Sequence, residues 1–283
     1  MRIAIWGAGV TGKRILNEIK TKYTNYNDEI LFIDSDKKRD NTYTENHSVH
    51  FHAWLKNNTV DILFIGTYTG YKEILNIIEN GCYDIRRIDT SYVDLQYNAR
   101  ISFLEQLAPL LSSVEGCVAE VGVYRGEFAQ YINQFFPKRL LYLYDTFHGF
   151  SEEDLLIEKG LPQFNSGFKE GQLNDTSIDL VMSKMKYPEN VKIVQGHFPD
   201  SFHEESASFS FVNIDMDLYE PTKKAIMIFY RQLSANGVML VHDYYNIDCP
   251  TIIKAVRDAE AEMKISFLKI PIGDKMSLAI IKK

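Results

Sequence analysis

Short apolar runs of strand length alternate with longer amphipathic stretches along most of the chain. In the first hundred residues such runs fall at 3–6, 29–34 ("EILFID") and 61–66 ("DILFIG"), with a shorter one at 86–89. Helix-like stretches cover residues 11–22 and 71–81, the second stopping at Gly81 as a helix C-terminus should. Strands separated by helices predict a parallel sheet with right-handed crossovers. Residues 40–58 are polar and irregular and read as a loop that interrupts the pattern.

Periodicity fades over residues 89–100, which places a boundary near Asn98 and predicts units 1–98 and 99–283. Ile101, Leu104, Leu107 and Leu111 then mark one face of a helix. A second series of strand runs follows at 118–121, 140–144, 191–195, 209–215 and 238–242. Pro250 stands in the first turn of a further helix. The last two apolar runs, 265–273 and 276–283, join through a tight Gly-Asp-Lys turn and read as a terminal hairpin. The fold class is therefore α/β with two Rossmann-like domains. A hairpin ending an otherwise parallel sheet suits the second as a methyltransferase-type sheet better than a dehydrogenase. Residues 151–190, polar and rich in Glu, Gly and Asn, are too long for a simple connection and read as a lid or substrate loop.

Composition narrows the function classes. Hydrophobic residues make up 45% and charged ones 24%, enough for a real core. A net charge of −7 argues against broad nucleic-acid binding, which needs a basic face. No apolar run reaches the roughly 18 residues of a membrane span. The opening run reads as a first strand and not a signal peptide, and Cys82, Cys117 and Cys249 are scattered, so a cytoplasmic protein with reduced thiols is expected.

Two glycine loops could hold a cofactor. Gly7, Gly9 and Gly12 form G-x-G-x-x-G between a strand and a helix, with Asp34 ending the next strand. That is the dinucleotide fingerprint: a tight turn, close approach of a pyrophosphate, and an acid for ribose hydroxyls. No second mononucleotide-binding half and no hydride-transfer machinery follow it. The stretch up to Leu95 resembles small Rossmann-like modules attached to bacterial sugar-modifying enzymes. A structural or oligomerisation role, or binding of a nucleotide or nucleotide-sugar, is expected there ahead of NAD chemistry. In the second loop, Glu120, Gly122 and Gly126 give E-x-G-x-x-x-G, and Asp145 ends the following strand. This spacing suits S-adenosylmethionine (SAM), which has no pyrophosphate. Asp145 could take two hydrogen bonds from its ribose diol.

Downstream carboxylates favour the second loop. Asp215 and Asp217 end one apolar strand, and His242 with Asp243 ends the next. In a parallel sheet both groups project from the carboxyl edge, where cofactor loops lie. Carboxylates gathered without compensation are costly, and an oxygen-rich set suits Mg²⁺, which would orient and acidify a substrate hydroxyl. Asp217 and Glu220 are expected instead to cap the helix opened by Pro221.

The segments "AEVGVYRGEFA", "LYLYDTFHGF", "VKIVQGHFPDSF", "IDMDLYEPT" and "ANGVMLVHDYY" occur in that order. Together they resemble the macrocin O-methyltransferase (TylF-like) family of SAM- and Mg²⁺-dependent sugar O-methyltransferases. The resemblance implies that Glu120, Gly122 and Gly126 line the methionine of SAM, that Asp145 holds its ribose, and that Gly196 and His197 lie near the adenine. It also implies that Asp215 and Asp243 bind the metal. His242 departs from the family members known for antibiotic pathways, which carry a second acid there; a histidine could be a third ligand or a base.

An alcohol being methylated needs a proton acceptor, and His148 and His242 both follow strands at the active edge. His47, His50 and His52 look like a metal cluster but match no familiar ligand spacing, so a polar loop with three histidines is expected. The implied activity is O-methylation of a sugar, nucleotide-sugar or glycoside hydroxyl, in surface-polysaccharide or natural-product synthesis. An NAD-linked sugar oxidoreductase run by the first loop, or a non-catalytic nucleotide-binding scaffold, are the alternatives.

Overall fold

A computed structural model of the protein describes residues 1–22, 28–67, 71–162, 164, 167–204, 206–247 and 249–283. The chain divides into two compact units, Met1–Asn98 and Ala99–Lys283.

The first unit is built from β1 (Arg2–Trp6), α1 (Val10–Lys22), β2 (Glu29–Asp34), β3 (Thr42–Thr44), β4 (His47–Phe51), β5 (Ile62–Ile65), α2 (Tyr71–Asn80) and β6 (Ile88–Asp89). Its sheet has the order β3-β4-β2-β1-β5-β6, parallel except for the β3–β4 pair. Strand β1 sits inside, and Ile3, Ala4, Ile5 and Trp6 are all buried. The polar stretch expected as a loop is in fact the edge of this sheet. Strand β4 pairs with β2, and Val49 is the one fully buried residue of "HSVHF", so alternation over five residues was masked by two histidines, His47 and His50. These and His52 do not meet: His47 faces the Ile30 carbonyl at 2.9 Å, His50 stacks on Trp54, and His52 contacts the Tyr83 hydroxyl at 2.7 Å.

Helix α3 (Ser91–Leu110) starts inside the stretch where periodicity faded. A local contact begins it. The Asp89 carboxylate accepts from the Ser91 amide at 3.1 Å and its hydroxyl at 2.5 Å, satisfying donors at the helix start.

The second unit continues with β7 (Cys117–Val121), α4 (Ala129–Phe135), β8 (Leu141–Asp145), α5 (Glu152–Lys159), α6 (Ile178–Ser183), β9 (Val191–Gln195), β10 (Phe209–Ile214), α7 (Tyr219–Gln232), β11 (Leu233–Val241), α8 (Thr251–Met263), β12 (Leu268–Pro271) and β13 (Leu278–Ile281). The sheet order is β12-β13-β11-β10-β7-β8-β9. Strands β9, β8, β7, β10 and β11 run parallel, and β13 inserts antiparallel between β11 and β12. The terminal hairpin turns on Asp274, 1% exposed, whose carboxylate accepts from the Met276 and Ser277 amides and the Ser277 hydroxyl.

Strand β10 is buried along its full length, as its central place requires. Helices α7 and α8 bury residues at three- and four-residue spacing, Ala225, Ile226 and Phe229 on one and Ile252, Ala255, Val256 and Ala259 on the other. Tyr144, Phe198, Phe202, Phe209 and Phe229 form a packed aromatic group in this core. Residues 151–190 carry α5 and α6; Gln163, Asn165 and Ser166 within that stretch lie outside the described residues. No described helix is long and apolar enough to cross a membrane.

Register fixes the edge on which chemistry can gather. Tyr144, Val121, Ile214 and Val241 lie side by side on β8, β7, β10 and β11. Asp145, Gly122, Asp215 and His242, each one residue further on, therefore form a row along the carboxyl edge.

At the opposite edge, Arg139 donates to the Leu111, Val114 and Gly116 carbonyls at 2.6, 2.7 and 2.9 Å and to the Ser210 hydroxyl at 2.5 Å. Removing the guanidinium orphans several part-buried acceptors at once. Arg139→Ala is expected to destabilise the second unit by about 2–4 kcal/mol in urea denaturation while leaving SAM affinity of the folded protein unchanged.

Candidate active site

The glycine loop after β7 is shaped by its neighbours. Gly122 has φ +83°, and a Cβ there would lie 1.9 Å from the Asp215 carbonyl oxygen. Only glycine lets the β7 turn press against the β10 turn. Gly126, φ +75°, packs against Val181 of α6. Residues 175–184 clasp the same loop: Thr176 donates its hydroxyl to the Tyr124 carbonyl, the Tyr124 hydroxyl donates to Asp175 at 2.5 Å, and Lys184 pairs with Glu127.

Asp145 is the pin that holds this loop. Its Oδ2 accepts from the Val123 and Tyr124 amides at 2.7 and 2.8 Å, and its Oδ1 accepts from the Phe147 amide at 2.7 Å. The first unit repeats the device, since Asp34 accepts from the Ala8 amide at 3.1 Å inside its own glycine loop. Gly196 donates its amide to the Asp145 carbonyl at 3.0 Å, and His197 lies next to it, its Nε2 2.7 Å from Asp154 of α5. Glu158, 1% exposed on the same helix, accepts from the Tyr219 amide at 2.8 Å and so caps α7.

Beside the loop lies a buried cluster of acids and cations. His242, 6% exposed, places Nδ1 3.0 Å from Asp215 Oδ1 and 3.1 Å from Asp243 Oδ2. Arg100 of α3 donates to Asp215 at 3.0 Å and to the Asn213 side chain at 2.9 Å, while its guanidinium covers the Phe128 ring at 4.0 Å. Asn213 in turn donates to Glu120 at 2.7 Å. Asn246 donates to Asp243 Oδ1 at 2.8 Å.

The charges are sorted by these contacts. Burial works against ionised Asp215, but His242 and Arg100 outweigh it and hold its carboxyl well below the usual range. Burial and Arg100 oppose a charged His242; Asp215 and Asp243 overcome both and push it up to about 10. Asp243 is likewise lowered against its burial by His242. Burial and the charges of Asp243 and Asp215 raise Asp217 far above a normal carboxyl, so it keeps a proton and donates it to Asp243. Burial lifts Glu120 to about 8 even with Arg100 beside it. Two carboxylates thus balance two cations, and two further carboxyls stay neutral.

The profile of the family described as macrocin-O-methyltransferase (TylF) matches residues 98–271. The chain belongs to the macrocin-O-methyltransferase (TylF) family. It is a SAM-dependent O-methyltransferase. A second profile, described as C2185-like, N-terminal, matches residues 1–88. Among solved structures, the fold is similar to that of the O-methyltransferase NovP, with a TM-score of 0.57 at 20% identity over 74% of this chain and 88% of NovP. It is also similar to CalS11, a calicheamicin methyltransferase, with a TM-score of 0.51 at 17% identity over 65% of this chain and 79% of that one. No curated protein sequence matches the chain.

In this TylF-family enzyme, the sequence-predicted residues Glu120, Gly122, Asp145, Asp215, His242 and Asp243 come together along one edge. His148 is exposed, and among the described contacts only its amide, donating to Thr146 at 3.1 Å, is engaged. The expected capping by Asp217 and Glu220 does not occur. Helix α7 has Leu218 at its N-cap with no side-chain cap, Glu220 pairs with Lys224 at 3.4 Å, and Asp217, at φ +60°, turns toward Asp243. Asp217 therefore joins the cluster that the sequence reading denied it. Arg100 and Asn213 were missed as well. Asn213 carried a signal, a lone amide in the apolar run "FSFVNI"; Arg100, far upstream, carried none.

The cluster fits a hard divalent cation. Ligand atoms of Asp215, His242 and Asp243 lie within 4.8 Å of one another, and Asp217 and Asp243 meet across a proton that a cation would replace.

The Glu120 carboxyl supplies a pH test. Its folded value of about 8 exceeds the ordinary 4.5, so the folded chain keeps a proton that the unfolded chain loses between those values. Stability from this group is full below the ordinary value, falls as pH rises through the window and levels off above it. Glu120→Gln keeps the acceptor for Asn213 and escapes that loss. Its Tm is expected to match the parent near pH 4 and exceed it above pH 8, by at most about 5 kcal/mol of stability. A parallel pH dependence in both proteins would count against it.

Proposed function

We propose that the enzyme transfers a methyl group from SAM to a sugar hydroxyl with the help of Mg²⁺. One observation carries this reading: the buried Asp215–His242–Asp243 cluster stands in register beside the Gly122 turn, so acceptor and methyl donor would share one edge. Glu120 and the loop from Gly122 to Gly126 would hold the methionine end of SAM. Asp145, whose oxygens already accept three amides, has one lone pair left, on Oδ1, for a ribose hydroxyl, and Gly196 and His197 stand next to it for the adenine.

Asp215, Asp243 and His242, with Asp217 beside them, would hold Mg²⁺, which when bound lowers the pKa of the acceptor hydroxyl. The acceptor oxygen forms a bond to the methyl carbon while that carbon's bond to sulfur breaks, leaving S-adenosylhomocysteine (SAH). The hydroxyl proton passes to an imidazole, His148 or His242. His242 holds a proton between two carboxylates and must release it before serving as base, whereas His148 is exposed and its imidazole has no described partner. The family description, macrocin-O-methyltransferase, supports a glycosidic acceptor.

The test is transfer from labelled SAM across a panel of nucleotide sugars and glycosides. Activity is expected to vanish with EDTA and return with Mg²⁺, and Asp215→Ala is expected to lower kcat on the order of 100-fold or more. Undiminished transfer in EDTA and in Asp215→Ala would sink the metal claim. The variant, His148→Ala or His242→Ala, that removes the rising limb of the kcat pH profile identifies the base.

A further inference from the structure

Beyond the carboxylate cluster, a cavity of about 430 Å³ opens between the loop after β11 and the start of α8. It falls in the range of roughly 300–1,000 Å³ found for small-molecule sites. Asn246 ties it to the cluster, lining the cavity while its amide donates to Asp243 Oδ1 at 2.8 Å. Whatever fills the cavity therefore ends within one side chain of the metal-binding carboxylates.

The walls differ in chemistry. Tyr245, 41% exposed, offers an aromatic face, and its amide is anchored to the Met276 carbonyl at 3.0 Å. Pro250, Ile253, Lys254 and Arg257 line the cavity at helical spacing along the start of α8. Lys254 is matched by Asp258, but Arg257 is exposed and has no ion pair among the described residues. Among the described residues this guanidinium is unmatched in a chain of net charge −7, while the acids of the neighbouring cluster are already balanced by Arg100 and His242. It suits a bidentate phosphate contact held away from those acids.

We infer that this cavity is the acceptor subsite and takes a nucleoside-diphosphate sugar: base on Tyr245, phosphate on Arg257, sugar directed past Asn246 to the cluster. The inference rests on the methyltransferase reading above and narrows its acceptor. Calorimetric titration of the full chain with SAH and Mg²⁺ present tests it, using UDP-glucose, dTDP-glucose, glucose 1-phosphate and methyl glucoside as probes. The nucleotide sugars are expected to bind, methyl glucoside not to, and glucose 1-phosphate to bind more weakly. Arg257→Glu should weaken nucleotide-sugar binding about tenfold or more. Tyr245→Ala should weaken the nucleotide sugars but not glucose 1-phosphate. Tm and SAH affinity report that each variant folds. Gly9→Asp, in the first glycine loop, should leave nucleotide-sugar binding intact. Binding indifferent to Arg257, lost in Gly9→Asp, or equal for methyl glucoside overturns the subsite. Glucose 1-phosphate binding as tightly as UDP-glucose overturns its nucleotide part. Methyl transfer to uncharged glycosides, unaffected by Arg257→Glu, would leave the methyltransferase reading standing and this one refuted; absence of any SAH binding would instead strike at the reading it rests on.

Discussion

Charge balance at the ends of β10 and β11 is the constraint on which the site depends. Strand register brings Asp215 and Asp243 close, a left-handed backbone adds Asp217, and ionising all three without cations would be prohibitive in a buried place. His242 and Arg100 supply two positive charges, and Asp217 stays protonated. The charges balance, while Arg100 Nε and Glu120 Oε2 are left without a hydrogen-bond partner among the described residues.

The surrounding architecture keeps this cluster next to the glycine loop after β7. Gly122 lets the β7 and β10 turns touch, and Asp145 locks the loop through the Val123 and Tyr124 amides. Helix α5 works at both ends of the same edge, with Asp154 on His197 and Glu158 on the first amide of α7. The long polar insertion is thus tied both to the loop after β9 and to the start of α7, beside the carboxylates. The first unit uses the same acid-to-loop hydrogen bond in Asp34 and Ala8, so loop pinning is common to both sheets while the carboxylate cluster belongs to the second.

Much of the fold was legible because strand and helix periods are local properties of the chain. The alternation of apolar runs and glycine turns indicated two parallel sheets, and the closing hairpin indicated the antiparallel strand β13. Where side-chain chemistry obscured the period, reading failed. Two histidines hid strand β4, in which only Val49 is fully buried. A capping contact from Asp89 started α3 where no amphipathic pattern was visible.

The sequence by itself determined which residues stand at strand ends, and hence that Glu120, Asp145, Asp215, His242 and Asp243 would share an edge. A strand's end is set by local pattern, and parallel strands deliver their ends to one side. What those residues do to one another was decided only in three dimensions. Asp217 looked like a helix cap until a left-handed backbone turned it toward Asp243. Arg100 entered from a helix more than a hundred residues upstream, and His242 gained its charge from carboxylates on two loops. Electrostatic energy depends on distance and burial, and neither is written in spacing along the chain.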